Sequence, residues 1–91
     1  MLVLVVYDIA DDKRRLKLSD YLEGHGRRVQ ESVFECFVPL PKMMKIWEQV
    51  QSKVDDREDS VRFYWIPSDA VPRTLTIGSP LPEPPPDFYI I

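Results

Sequence analysis

The sequence predicts an α+β domain in which two helices cover one face of an antiparallel sheet. The chain of 91 residues has the length of a single domain. Apolar runs of strand length alternate with two stretches in helical spacing, and polar turns separate them in the order β, α, β(β), α, β. That order is the split βαβ arrangement, also called ferredoxin-like. Because a domain this small leaves apolar surface uncovered, we also expect it to self-associate.

The first strand and the first helix follow from the N-terminal third of the chain. Residues 2–7 are an unbroken apolar run that predicts a strand, and Asp8 ends it. The run is too short to span a bilayer and no basic residue precedes it, so we expect neither a signal peptide nor a membrane partner. Asp11 or Asp12 can cap the helix, and Gly24 or Gly26 is expected to end it in the left-handed conformation. The apolar stripe of this helix is formed by Leu18, Tyr21 and Leu22.

The middle of the chain predicts extended structure followed by a second helix. Residues 29–38 are expected to form one bent strand or two short ones. Pro41 suits the first turn of the second helix, and residues 61–66 predict a last strand that Pro67 ends. On the extended segment, one face is shared by Phe34, Cys36 and Val38. The helical spacing is carried by Met43, Ile46, Trp47, Val50 and Val54.

The C-terminal part divides into the end of the domain and an arm. A further strand is predicted at residues 74–77. Residues 79–86 contain five of the nine prolines and cannot pair inside a sheet. We therefore predict a domain at residues 1–78 and a proline-rich arm at residues 79–91. The last four residues, 88–91, are apolar and either dock on another surface or fray.

Charge and cysteine content bound the possible partners. The net charge of −3 argues mildly against indiscriminate nucleic-acid binding. Residues 13–28, however, hold six basic side chains against Asp20 and Glu23, which predicts a basic face on an acidic body. The single Cys36 cannot form an internal disulfide, so we expect a reducing, cytoplasmic location.

Asp8 is the residue whose position suggests chemistry, because it ends an apolar strand and the helix cap does not need it. A carboxylate desolvated at such a place is stabilised by a cation, a metal ion or a proton. The alternative to a metal site is a salt bridge to the basic helix. Arg14 and Arg15 extend the stripe of that helix toward the strand, so one can neutralise Asp8 while the other binds a phosphate.

The chain lacks the other common catalytic sets. His25 is its only histidine and lies in a Gly-His-Gly turn, and the sequence has neither a cysteine pair for zinc nor a glycine-rich phosphate loop. Hydrolysis of a phosphodiester would then require a divalent ion, Mg²⁺ or Mn²⁺, held by carboxylates. One aspartate is few for such an ion, but two subunits can supply two.

Two sequence runs carry a family resemblance. YDIADDKRRLKL and YLEGHGRRVQESVFE resemble the signature of the CRISPR-associated Cas2 family. In that signature a strand ending in Tyr-Asp-Ile precedes an acidic cap, an Arg-rich first turn and a strand of the form Gly-x-Arg-Val-Gln-x-Ser-Val-Phe-Glu. The match covers residues 1 to about 38, and the Ser-Val-Arg-Phe-Tyr strand at residues 60–64 agrees in pattern.

The resemblance implies a ferredoxin-like homodimer with facing sheets, whose final strand, here residues 74–77, crosses to the partner. It implies that Asp8, present twice across the dimer interface, binds Mg²⁺ or Mn²⁺. The catalytic positions around this metal ligand are then Tyr7, Arg15, Arg28, Ser32 and Phe34. We expect nucleic acid to contact Arg14, Arg15, Lys17, Arg27 and Arg28. Lys17 stands where some members have Arg.

Three functions follow from this resemblance. The first is a metal-dependent endonuclease acting on single-stranded RNA or double-stranded DNA. The second is a non-catalytic, dimeric DNA-binding scaffold that bridges dimers of the Cas1 integrase during spacer acquisition. The third is a toxin-like endoribonuclease of the virulence-associated protein D family, which shares the strand-end aspartate. The Arg-Val-Gln-x-Ser-Val-Phe-Glu run is more typical of Cas2, and the sequence leaves RNA and DNA equally open.

Overall fold

A computed structural model of the chain describes residues 1–84. It contains four strands, two α-helices of 12 residues each and a short 3₁₀ turn at Val71–Arg73. In chain order the helices and strands are β1 (Leu2–Asp8), α1 (Asp12–Glu23), β2 (Arg27–Gln30), β3 (Val33–Phe37), α2 (Leu40–Gln51) and β4 (Ser60–Ile66). The sheet order is β2-β3-β1-β4, and each neighbouring pair is antiparallel. This confirms the predicted ferredoxin-like fold, with the extended segment divided into two strands.

The core lies on the face of the sheet that the two helices cover. Alternation along β1 places Val3, Val5 and Tyr7 on this face, where all three are buried. Leu4 and Val6 point to the opposite face and are only half-buried. The helices contribute Leu18, Leu22, Met43, Ile46 and Val50 to the core, and β3 contributes Phe34 and Cys36. The face of the sheet that carries Leu4 and Val6, called the open face below, is therefore partly apolar.

The first helix begins as predicted and ends differently. Asp11 is the N-cap, and its carboxylate accepts a hydrogen bond from the backbone N–H of Arg14. The prediction that Gly24 or Gly26 ends the helix in the left-handed conformation is wrong. Gly24 has a φ of −76°, because the N–H groups of residues 24–26 continue to bond to carbonyls one turn back. Within residues 1–84 the one positive φ belongs to Gly78.

Gly26 is required for a different reason, which is space. A Cβ at this position would lie 2.5 Å from the sulfur of Cys36 and 2.5 Å from the carbonyl oxygen of Glu35. Cys36 is buried, and burial raises the pKa of its thiol to about 11. The glycine therefore allows β2 to enter the sheet directly against β3.

The second helix follows its predicted periodicity over most of its length. Pro39 is its N-cap and Pro41 lies in the first turn. Trp47 packs edge-on against Phe63 of β4, with ring centroids 5.3 Å apart. Val54 lies beyond the end of the helix, although it still packs against the core.

The segment after β4 is less regular than predicted. Residues 74–77 form no strand within the single chain, and Leu75 and Ile77 are 95% and 100% exposed. Their predicted exchange with a partner stays a prediction. The expected docking or fraying of residues 88–91 lies outside the described residues. Among residues 1–84, neither helix is long and apolar enough to cross a membrane.

Candidate active-site groove

A groove opens where β1 ends, between the first half of α1 and the turn that joins β2 to β3. Its volume is about 790 Å³. Five of the six residues predicted to be catalytic line it, and the sixth, Phe34, is buried beneath it against Tyr7. The lining residues are Tyr7, Asp8, Ile9, Asp12, Arg15, Leu16, Ser19, Arg28, Glu31 and Ser32. We refer to this feature as the Asp8 groove.

Asp8 is exposed at the last position of β1, opposite Ser60 of β4. The expectation that strand neighbours desolvate its carboxylate is therefore wrong for a single chain. Alternation along β1 places it on the open face together with Leu4 and Val6. Within residues 1–84, no ion pair or side-chain hydrogen bond involves the Asp8 carboxylate, so the predicted salt bridge to the basic helix does not form.

Tyr7 fixes one wall of the groove. Its backbone N–H donates to the carbonyl oxygen of Ser32 at 3.1 Å, and its hydroxyl donates to that of Glu31 at 3.2 Å. The ring stacks on Phe34 with centroids 6.3 Å apart. Burial raises the pKa of the hydroxyl, against the opposing effect of Arg28 and Arg15. Tyr7 therefore holds the β2–β3 turn beside Asp8 and stays protonated at neutral pH.

Arg15 forms the opposite wall of the groove. Its guanidinium donates to the carbonyl oxygen of Ile9 at 2.8 Å and pairs with Asp12 on the same helix. The expectation that Arg14 or Arg15 neutralises Asp8 is wrong, because both guanidinium groups bond elsewhere. The remaining N–H groups of Arg15 stay at the groove, where its side chain is 45% exposed.

Arg28 reaches the groove from β2. Its guanidinium lies 5.3 Å from the ring centroid of Phe34 and 3.3 Å from a carboxylate oxygen of Glu23. Ring contact of this kind holds a guanidinium without using its hydrogen bonds. Each of the two groove arginines therefore has one exposed carboxylate partner. Arg15 pairs with Asp12, the first residue of α1, and Arg28 pairs with Glu23, its last residue.

The other predicted nucleic-acid contacts lie outside the groove. Lys17 and Arg27 are exposed, and neither lines it. Arg14 bonds instead to Asp59 and Glu58, before β4. The residues that sequence reasoning missed are Asp12, Glu23, Glu31 and Asp59. Each of these acidic residues lies at a helix cap, at a helix end or in a turn, where acidic side chains are common. Their positions in the sequence therefore did not indicate a functional site.

Within the described residues, the groove of a single chain offers few ligands for a divalent ion. Among residues 1–84, no three His, Cys, Asp or Glu side chains lie close enough to hold a metal. Asp12 is paired with Arg15, which leaves the carboxylates of Asp8 and Glu31 without an ion pair in the described lining. One carboxylate is the fewest that Mg²⁺ takes in proteins, where one or two carboxylates are joined by water and substrate oxygens.

Comparison with known proteins identifies the family of the chain. The family model described as "CRISPR associated protein Cas2" matches residues 1–74. A protein of Chloroflexus aurantiacus named CRISPR-associated endoribonuclease Cas2 1 is 41% identical over 93 residues, covering 100% of both chains. The crystal structure of Streptococcus pyogenes Cas2 at pH 6.5 is similar with a TM-score of 0.75 and 34% identity, over 86% of this chain and 100% of that one. A chain of a partial Cas6-RT-Cas1–Cas2 complex is similar with a TM-score of 0.71 and 31% identity, over 88% of both chains.

Proposed function

The chain belongs to the Cas2 family of CRISPR-associated proteins, and we propose that it is a metal-dependent endonuclease that takes part in CRISPR adaptation. The observation that carries this proposal is the Asp8 groove itself. An unpaired carboxylate, two arginines and a tyrosine meet there although they come from three separate parts of the chain. The relative in Chloroflexus is named an endoribonuclease, which supports a nuclease activity.

Two copies of the chain would bring the metal ligands together. Leu4, Val6 and the exposed Tyr64 make the open face partly apolar, beside Glu35 and Arg62, and Asp8 lies at the end of the same face. A second copy docked on this face covers the apolar side chains and sets its Asp8 toward the first. We propose that the Asp8 carboxylates of the two chains hold one Mg²⁺ or Mn²⁺. When bound, such an ion supplies an activated water and stabilises the departing oxygen of a phosphodiester.

The side chains of this protein position the nucleic acid. The guanidinium groups of Arg15 and Arg28 offer planar pairs of N–H donors to phosphate oxygens on either side of Asp8. Phosphate would displace their exposed partners, Asp12 and Glu23, because surface ion pairs contribute little. Tyr7 keeps the Ser32 turn in place. Contacts of this kind go to the backbone, so they fit single-stranded RNA and double-stranded DNA alike.

A scaffold function is the second candidate, and one observation favours it. Within residues 1–84 no three potential metal ligands lie together, which favours a groove that binds phosphate through its arginines without a metal ion. A solved chain similar to this one belongs to a complex with Cas1. In this alternative the dimer holds a DNA duplex and bridges Cas1 integrase dimers, and Asp8 is not needed.

The two functions separate on one substitution. We expect Asp8→Asn to reduce cleavage of RNA or DNA in Mg²⁺ or Mn²⁺ by more than about 100-fold, the upper end of losses seen for outer-shell partners of metal sites. Nucleic-acid binding and the dimer should persist. Asp20→Asn is the matched control, because Asp20 is exposed on α1 and does not line the groove. Cleavage at the wild-type rate by the Asp8→Asn protein would reject the nuclease proposal and leave the scaffold.

A further inference from the structure

The carboxylate of Asp59 joins three segments of the chain near the Asp8 groove. Its side chain is 0% exposed. It accepts hydrogen bonds from the backbone N–H of Ala10 at 2.9 Å, from that of Asp55 at 2.8 Å and from Nε of Arg14 at 2.8 Å. A second bond from Arg14 reaches its other oxygen at 3.2 Å. A buried carboxylate with this many donors is held firmly in one position.

The first turn of α1 depends on such polar contacts because the core does not hold it. The buried residues of α1 are Leu18, Ser19 and Leu22, all in its second half. In the first turn, Asp12 and Arg15 are exposed and Arg14 is half-buried. Apolar packing therefore fixes the helix from its second turn onward, and hydrogen bonds to neighbouring segments fix its beginning.

Two of the segments that Asp59 joins, the loop after β1 and the first turn of α1, also line the groove. Ala10 is two residues after Asp8, and Ser60, which follows Asp59, lies opposite Asp8 in the sheet. We infer that Asp59 and Arg14 are positioning residues, which hold the loop after β1 and the first turn of α1 so that Arg15 stands correctly beside Asp8. This inference rests on the proposed function, and it assigns Arg14 a structural contact in place of the phosphate contact expected from sequence.

The bonding of Arg14 separates it from the groove arginines. Arg14 has two carboxylate partners: buried Asp59 and, at 3.1 Å, Glu58. Arg15 and Arg28 each have one exposed carboxylate partner, which a phosphate can replace. Each phosphate neutralised by a cation steepens the salt dependence of binding by about one unit of slope. Replacing Arg28 by Gln should therefore lower that slope by about one, and replacing Arg14 by Gln should leave it unchanged.

The experiment compares Asp59→Asn, Arg14→Gln and the double variant in the full chain. We expect each to lower kcat for metal-dependent cleavage by about 10- to 100-fold, as for outer-shell partners of metal sites, with KM little changed. The double variant should be no worse than either single one, because both remove the same contact. Glu58→Gln is the matched control: Glu58 also bonds to Arg14 but is 61% exposed, so its loss should change little. If Asp59→Asn does not fold, Arg14→Gln carries the test, since Arg14 lies outside the core.

Two results would overturn the inference. One is a wild-type kcat in folded Asp59→Asn or Arg14→Gln. The other is a salt slope for Arg14→Gln that falls as it does for Arg28→Gln, with effects that add in the double variant. If the wild-type protein cleaves nothing, the proposed function fails. The positioning role of Asp59 is then tested by the NMR chemical shifts of the backbone amides in Asp59→Asn. Chemical-shift changes that extend to residues 8–15 support the positioning role. Changes confined to residues 55–60 refute it.

Discussion

Gly26→Ala tests whether the close approach of β2 to β3 is as tight as the structure shows. The added Cβ would lie 2.5 Å from the sulfur of Cys36 and 2.5 Å from the carbonyl oxygen of Glu35. Neither atom can withdraw cheaply, because Cys36 is buried in the core and the Glu35 oxygen belongs to the backbone of β3. The substitution must therefore shift β2 away from β3, along with Arg28.

The expected size of the effect follows from two opposing contributions. Overpacking of this kind costs about 1–3 kcal/mol, and a backbone clash favours the upper end. Loss of glycine entropy from the unfolded chain offsets about 0.4–1 kcal/mol. The net fall in the free energy of unfolding is about 2 kcal/mol, which lowers the melting temperature of a domain of this size by roughly 8–16 °C.

Urea denaturation of Gly26→Ala and Gly24→Ala measures this directly. Gly24 is the matched control, because its φ of −76° suits alanine and the nearest atom to an added Cβ is 3.5 Å away. Gly24→Ala should stabilise the protein slightly, by about 0.4–1 kcal/mol. If the two variants were equally stable, the close contact between β2 and β3 would be wrong.

The remaining predictions concern binding, acid stability and assembly. Arg28→Glu should weaken binding to RNA and DNA of any sequence, most of all at low salt, as measured by fluorescence anisotropy across a salt titration; unchanged affinity would remove Arg28 from the interface. The hydrogen bond from Arg14 lowers the pKa of Asp59, so the stability that this pair contributes is complete above the ordinary carboxyl value of 3.8 and is lost as the pH falls below it. Urea titrations should accordingly show Asp59→Asn less stable than wild type at pH 7, with the difference shrinking below about pH 4; a constant difference would contradict this assignment. Val6→Lys on the open face should give a folded monomer by light scattering, and a persistent dimer would place the interface elsewhere.

The fold could be predicted wherever burial imposes a strong period on the sequence. β1 is an unbroken apolar run of strand length, and α2 repeats its apolar residues at helical spacing. The bounds of both elements were therefore predicted to within a few residues. The left-handed glycine was predicted wrongly because sequence alone does not tell a glycine needed for φ from one needed for space. Gly26 is of the second kind, and its constraint comes from Cys36 and Glu35 on the next strand.

The sequence predicted most of the residues that meet in the groove, but it did not predict the hydrogen bonds and ion pairs that they form. The family-like motif named Tyr7, Asp8, Arg15, Arg28 and Ser32, and the fold brings them to one groove. The pairing of Arg14 with Asp59 spans 45 residues and was hidden, since four acidic residues in 55–59 look alike in sequence. The exposure of Asp8 was predicted wrongly, because the apolar run before it does not indicate what covers the end of the strand.

The stoichiometry of metal binding tests the central claim most directly, namely that one site is built from the Asp8 residues of two chains. Titration of the full-length protein with Mn²⁺, followed by calorimetry, should give one ion for every two chains. Binding at this site should be lost in Asp8→Asn and kept in Asp20→Asn. One ion per chain, or binding that Asp8→Asn leaves intact, would contradict the account.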